Sequence, residues 1–229
     1  MAKTVELVFI LDQSGSMYGQ EKDVIGGFNS MIDAQNDQEG EVLVTTVMFS
    51  NRSQMIHDRE NAKSIRHLTE HDYHPGGSTA LYDAIGETVS HIRTIHKYVR
   101  KEDVPEKTIV AITTDGQENA SVRWSADEVR KLIEQCRKDG WEFLFLAEDL
   151  DASAEAGCIG ISADRAFSYN AAQYDGGTRG VFEDLGEVLC AMPSMNEERF
   201  SFDEMLSEAK TKRTSRKESR PKKSRKSGK

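Results

Sequence analysis

Apolar positions fall in two rhythms along the chain. Val5-Glu6-Leu7-Val8-Phe9-Ile10-Leu11 is a short, nearly continuous apolar run rich in β-forming side chains. It predicts a strand covered on both faces, as in a parallel sheet. It stops at Asp12-Gln13-Ser14-Gly15-Ser16, which is loop chemistry. Val24, Ile25, Phe28, Met31 and Ile32 then recur at helical spacing. Glu41 to Phe49 predicts a second strand. Gln54 to His57 predicts a short third one, paired antiparallel with it through a turn at Ser50-Asn51-Arg52.

A long polar loop ends in Pro75-Gly76-Gly77-Ser78-Thr79, and Ala80 to Val99 follows as a helix. Its apolar face carries Leu81, Ile85, Val89, Ile92 and then Ile95 or His96. Thr108 to Thr113 is the next buried strand and stops at Thr114-Asp115-Gly116. Ser125 and Glu128 form a capping box at the start of a helix whose inward stripe is Val129, Leu132, Ile133 and Cys136. Trp141 to Ala147 is a fifth strand. Asp151 to Gly157, Phe167 to Tyr169 and Phe182 to Met192 read as a short helix, an edge strand and a last helix. Strands alternating with helices imply βαβ units. The expected fold is an α/β, doubly wound, Rossmann-like sheet: mostly parallel, with helices on both faces and one antiparallel edge strand. Its ligand site should lie outside the C-terminal ends of the strands, near the switch in strand order. Polar residues just after Leu11, Thr113 and Ala147 should then share one crevice.

Composition narrows the class. The chain has 229 residues, 37% apolar, with 17 Gly, which is ordinary for a globular protein. No run approaches the ~18 apolar residues of a membrane span. The N-terminal stretch lacks the long apolar segment of a signal peptide. Cys136, Cys158 and Cys190 are odd in number and far apart, which argues against a disulfide framework and a thiolate zinc site. A cytoplasmic protein is the expectation. The net charge of −9 hides an asymmetry. Ser207 to Lys229 holds eleven Lys/Arg and two Glu, +9, so the preceding 206 residues carry −18. This tail should be disordered and could contact nucleic acid or anionic surfaces weakly. It has no aromatic residue for base stacking.

Three segments end in chemistry suited to a shared crevice: Asp12-Gln13-Ser14-Gly15-Ser16, Gly77-Ser78-Thr79 and Thr114-Asp115-Gly116. They supply two carboxylates and three hydroxyls, all hard oxygen donors, without thiolate or imidazole. That set suits Mg²⁺ or Mn²⁺, and Ca²⁺ less, rather than Zn²⁺. Taken singly, each residue also has a plainer role. Asp12 and Asp115 could cap turns, and Ser14 and Ser16 could cap a helix. Asp83 suits capping or salt-bridging, His67, His71 and His74 suit a solvated loop, and Glu118 and Asn119 sit at the rim.

The combination resembles the von Willebrand factor A domain. That family's metal-ion-dependent adhesion site is written D-x-S-x-S, then a distant Thr, then a distant Asp. Here these read Asp12-x-Ser14-x-Ser16, Thr79 within Pro75-Gly-Gly-Ser-Thr79-Ala-Leu-Tyr-Asp83-Ala, and Asp115 within Ile112-Thr-Thr-Asp115-Gly116. The resemblance covers roughly residues 4 to 192 in element order. It implies a domain over 1–195; the amphipathic stretch and charge pattern beyond it predict a C-terminal helix at 196–209 and a basic disordered tail at 210–229. It implies metal ligation by Ser14 and Ser16, with Thr79 direct or one water away and Asp12 and Asp115 holding the water shell. It implies a protein partner supplying an Asp or Glu carboxylate, in some relatives within an AAA+ ATPase complex. The competing expectation is a Mg-dependent phosphatase or phosphotransferase with Asp12 as nucleophile. The strand ends offer it no obvious basic partner, Arg123 several residues past Asp115 being the nearest candidate, and no phosphate-binding glycine loop is present.

Overall fold

The computed structural model describes residues 4–36, 40–148, 152–169 and 186. They form a six-stranded sheet with helices on both faces. The strands are β1 (Thr4–Asp12), β2 (Glu41–Phe49), β3 (Ser53–Asn61), β4 (Lys107–Thr114), β5 (Glu142–Glu148) and β6 (Ala166–Tyr169). The helices are α1 (Glu21–Asn36), α2 (Leu81–Tyr98), α3 (Ala126–Lys138) and α4 (Ala152–Cys158). The strand order is β3-β2-β1-β4-β5-β6, parallel throughout except for the antiparallel β2–β3 pair. The chain therefore winds outward in one direction from β1 to β3, and in the other from β4 to β6. The switch lies between β1 and β4, where the crevice of such a sheet opens.

The alternation of side chains along β1 divides the core. Leu7, Phe9 and Leu11 face Val24, Phe28, Met31 and Ile32 of α1. Val8 and Ile10 face Leu81, Ile85, Val89 and Ile92 of α2, with Val129, Leu132, Ile133 and Cys136 of α3 beside them. Both faces of the strand are covered, which is why its sequence shows a continuous apolar run. The capping box at Ser125 and Glu128 is present as the sequence indicated. Of the predicted last helix, Gly186 is helical and lies against Met31. The rest of that helix, the 196–209 helix and the basic tail lie outside the described residues.

Two features depart from the pattern. β3 is nine residues long rather than four, because pairing resumes beyond a bulge where the register shifts between Val44 and Val47. At the bulge Arg59 adopts φ 51°, and its amide donates to Thr45 Oγ1 at 3.1 Å. The second departure is Glu6, fully buried inside the apolar run. Arg59 Nε donates to one of its oxygens at 2.6 Å, and His96 Nε2 lies 2.6 Å from the other. Of the two candidates for the end of the α2 stripe, His96 therefore makes the inward contact. A buried carboxylate persists here because both oxygens are bonded.

Gly86 offers a test of the α2–α3 face. A Cβ built on it would fall 2.2 Å from Cδ2 of Trp124. Gly86→Ala should thus destabilise the fold by about 1–3 kcal/mol through overpacking, despite the gain of about 1 kcal/mol in helix propensity. Denaturant unfolding followed by tryptophan fluorescence measures this; a more stable variant would show that the ring moves aside freely.

Candidate metal centre

Asp12 closes β1, and Asp115 follows β4 directly, so the switch in strand order sets the two carboxylates on neighbouring strands. Asp12 is fully buried. Its Oδ1 accepts from the Ser14 amide at 2.6 Å and its Oδ2 from the Thr114 hydroxyl at 2.7 Å. Its own carbonyl accepts from the Tyr73 hydroxyl. Asp115 Oδ1 accepts from Ser16 Oγ at 2.5 Å and Oδ2 from Gln20 Nε2 at 3.3 Å. Ser14 Oγ lies 3.0 Å from Ser16 Oγ. Ser14 sits at the head of a short 3₁₀ turn over Gly15–Met17, yet its hydroxyl makes no capping bond. The plain N-cap reading of the serines is thereby set aside for Ser14.

Thr79 arrives from a separate loop that is pinned on both sides. The Gly15 amide donates to the Gly77 carbonyl at 3.0 Å, and the Gly76 amide to the Gln13 carbonyl at 2.8 Å. Gly77 holds φ +83°, and a Cβ on it would fall 2.0 Å from Asn51 Oδ1, so only glycine fits. That same Asn51 oxygen accepts from the Ser78 amide at 2.7 Å. On the other side, Asn119 Oδ1 accepts from the Thr79 amide at 3.0 Å, and the Asn119 amide donates back to the Thr79 carbonyl at 3.0 Å.

The three hydroxyls converge. A Cβ placed on Gly116 would lie 3.2 Å from Thr79 Oγ1, 3.3 Å from Ser16 Oγ and 3.9 Å from Ser14 Oγ. The missing side chain leaves a cradle, with three hydroxyls from two chain segments around it and two carboxylates alongside. All five sequence-derived residues are thus brought to one place, at the predicted end of the sheet. Of the polar residues expected at the crevice after Ala147, Asp149 lies outside the described residues.

The charge balance of the cradle is unfavourable without a counter-charge. Burial raises the pKa of Asp12, against the hydrogen bonds from Thr114 and Ser14. Burial also raises that of Asp115, and the neighbouring Asp12 charge adds to it, against the hydrogen bond from Ser16. Neither carboxylate is ion-paired among the described residues. A hard divalent cation fits this donor set, with Ser14, Ser16 and Thr79 offering hydroxyls and Asp12 and Asp115 the negative charge. Among the described residues no group of three or more His, Cys, Asp or Glu side chains could hold a metal elsewhere. His67 and His74 instead bond to Asp33 and to the His71 carbonyl.

Several supporting residues carried no signal strong enough to find them in the sequence. Thr114 and Gln20 bond to the two carboxylates and Tyr73 to the Asp12 carbonyl, and each is an ordinary residue in a strand or loop. Glu118 and Asn119, which the sequence placed at the partner-facing rim, instead hold the loop in place. Glu118 accepts from the amides of Tyr82, Ala120 and Ser121 at 2.9, 2.9 and 2.7 Å. Asp83 takes the structural part anticipated for it, accepting from the amides of Val122, Arg123 and Trp124 at 3.0, 2.9 and 2.8 Å.

The family model for VWA domain containing CoxE-like protein matches residues 1–146, well over half of the 229. The chain belongs to the von Willebrand factor A domain family. A search of the curated proteins finds no match to the sequence. Among solved structures, the vWF domain of the type V pili tip protein Mfa5 from Porphyromonas gingivalis superposes with a TM-score of 0.64 at 11% identity. It covers 86% of this chain and 98% of that one. The pilus adhesin SpaC from Lactobacillus rhamnosus GG, in its open conformation, gives 0.61 at 13% identity, covering 82% and 30%. Proximal thread matrix protein 1 from the mussel byssus, solved with a zinc-occupied MIDAS motif, gives 0.55 at 16% identity, covering 82% and 46%. The chain thus spans about half the length of the mussel protein. At these identities the likeness establishes the fold.

Two variants probe this architecture. Gly116→Ala should fill the cradle and weaken divalent-metal binding about 10- to 100-fold with the thermal midpoint nearly unchanged, as read by titration calorimetry and a melting curve. Asp83→Asn should cost about 1–3 kcal/mol by weakening the bonds that hold the 122–124 loop. Burial opposes the Asp83 charge, but the three amide donors outweigh it and hold the carboxyl below its ordinary range. Its contribution is therefore complete above the ordinary carboxylate pKa and is lost as pH falls through the depressed value. The stability gap between wild type and variant should shrink in acid; a gap that widens would refute this account.

Proposed function

We propose that this von Willebrand factor A domain is a non-catalytic binding module. It holds one divalent cation, Mg²⁺ or Mn²⁺, in the cradle of Asp12, Ser14, Ser16, Thr79 and Asp115. A protein partner completes the cation's shell with an Asp or Glu carboxylate. The observation that carries this reading is the convergence of three hydroxyls from two separate loops on the position a Gly116 side chain would take. Hydroxyls satisfy a hard cation without cancelling its charge, so the bound ion would stay attractive to an incoming carboxylate. The zinc-occupied motif of the mussel protein supports a metal in a site of this kind, on the same fold.

The structure weighs against Asp12 as a nucleophile. Both of its oxygens are engaged, one with an amide and one with a hydroxyl, and the residue is fully buried. The partner class is an acidic protein surface; the assembly suggested by the family resemblance is an AAA+ ATPase complex. Among the described residues no helix is long and apolar enough to cross a membrane. Cys136 and Cys158 are free thiols, which fits the reducing interior of a cell and the cytoplasm as the working location.

Titration calorimetry with Mg²⁺ and Mn²⁺ tests the reading. Wild type should bind one ion per chain. Ser14→Ala, which removes one hydroxyl and leaves both carboxylates, should bind about tenfold or more weakly while keeping its melting point. Asp12→Ala should bind weaker still. Unchanged affinity in both variants would overturn the assignment. Capture of a partner should be abolished by chelation and restored by Mg²⁺.

A further inference from the structure

A cavity of about 500 Å³ is joined to the cradle through Tyr73, although none of the five site residues lines it. Tyr18 lines it two residues beyond Ser16, and Tyr73 lines it while its hydroxyl bonds to the Asp12 carbonyl. Tyr18 is 70% exposed. Glu21 and Glu70 also line the cavity. Their side chains make no ion pair or hydrogen bond among the described residues. Lys22 is the one lysine or arginine among the lining residues. Two carboxylates beside the exposed Tyr18 ring make a setting for a lysine or arginine side chain, by charge attraction and cation–π contact. A ligand fitting both the cradle and the cavity carries one carboxylate with cationic side chains close by in sequence.

The chain contains such a segment. From Lys210 to Lys229 there are eleven Lys/Arg and one carboxylate, Glu218, within Arg216-Lys217-Glu218-Ser219-Arg220. The tail from Ser207 carries +9 against −18 on the rest of the chain, so attraction between the two is long-range and salt-sensitive. Tethering adds to it. A carboxylate on the same chain faces the site at an effective concentration on the order of mM, so a weak metal–carboxylate contact is populated without any partner.

We propose that the site's resident ligand is the chain's own tail: Glu218 offers its carboxylate to the metal while Arg216, Lys217 and Arg220 meet Glu21 and Glu70 in the adjoining cavity. This rests on the reading of the crevice as a metal site. The tail then acts as a built-in competitor. A partner gains access only by displacing Glu218, so partner binding reports the difference between two carboxylate contacts.

Paramagnetic broadening of the ¹⁵N-labelled full chain by Mn²⁺ separates the two claims in one sample. Amide signals of residues 12–16 and 115 should broaden, which reports the metal; if they stay sharp, the metal reading itself fails. Signals of residues 216–220 should broaden with them. In Glu218→Gln the tail signals should sharpen while the 12–16 signals remain broad. The same loss should follow in about 0.5 M NaCl, where charge attraction is screened. The Glu21→Gln/Glu70→Gln double variant should restore most of the tail intensity with the metal signals unchanged. Sharp tail signals beside a broadened site overturn the proposal. So does tail broadening that survives Glu218→Gln, which would place the tail on the acidic surface at large. Broadening that vanishes on dilution also overturns it, in favour of a second copy's tail.

Discussion

Two carboxylates of like charge stand on adjacent strands at the one point where the sheet reverses its winding. Burial and mutual repulsion both disfavour that arrangement, and among the described residues no lysine or arginine is paired with either. Much of the surrounding architecture makes it tolerable. Thr114, Ser14, Ser16 and Gln20 each donate a hydrogen bond to one of the four carboxylate oxygens. A site that satisfies its charges only with dipoles is stable enough to fold and still retains an affinity for a cation. Folding and the proposed ion recognition thus rest on the same unresolved charge.

Holding three loops in register is the second requirement, and it is met mainly by the backbone. The 13–16 and 75–79 loops exchange amide–carbonyl bonds, and the 79 and 119 segments do the same. Side chains with several acceptor sites complete the lock: Asn51, Asn119, Glu118 and Asp83 each bind amides from a different part of the chain. Such bonds have defined directions, so the hydroxyl of Thr79 is positioned by groups that never touch the cradle. The apolar strands beneath supply rigidity, because β1 and β4 are covered on both faces.

The opposite end of the molecule solves a different electrostatic problem. Glu6 is as buried as Asp12, but it is met by Arg59 and His96, whereas Asp12 is met by a hydroxyl and an amide. A carboxylate paired with a guanidinium and an imidazole contributes to structure. One left to neutral donors stays available for a cation. The contrast between these two residues of a single strand separates framework from proposed function.

Much was legible in the chain itself. A continuous apolar run such as Val5–Leu11 can only be a strand covered on both sides, and the helical spacing at Leu81, Ile85, Val89 and Ile92 fixes which face turns inward; these are local consequences of backbone period. The five residues of the proposed site could be singled out because a loop that gathers hard oxygen donors leaves Asp, Ser and Thr at the ends of strands. What lay beyond the sequence depended on contacts between distant segments. The bulge that carries Arg59 to Glu6 spans 53 positions, and the Thr114–Asp12 bond spans 102. Glu118 and Asn119 look like idle loop residues until their amide partners are in place. Local order follows from side-chain period and turn chemistry, which act over a few residues. The convergence of the hydroxyls on Gly116 was decided only when the sheet set β1 beside β4.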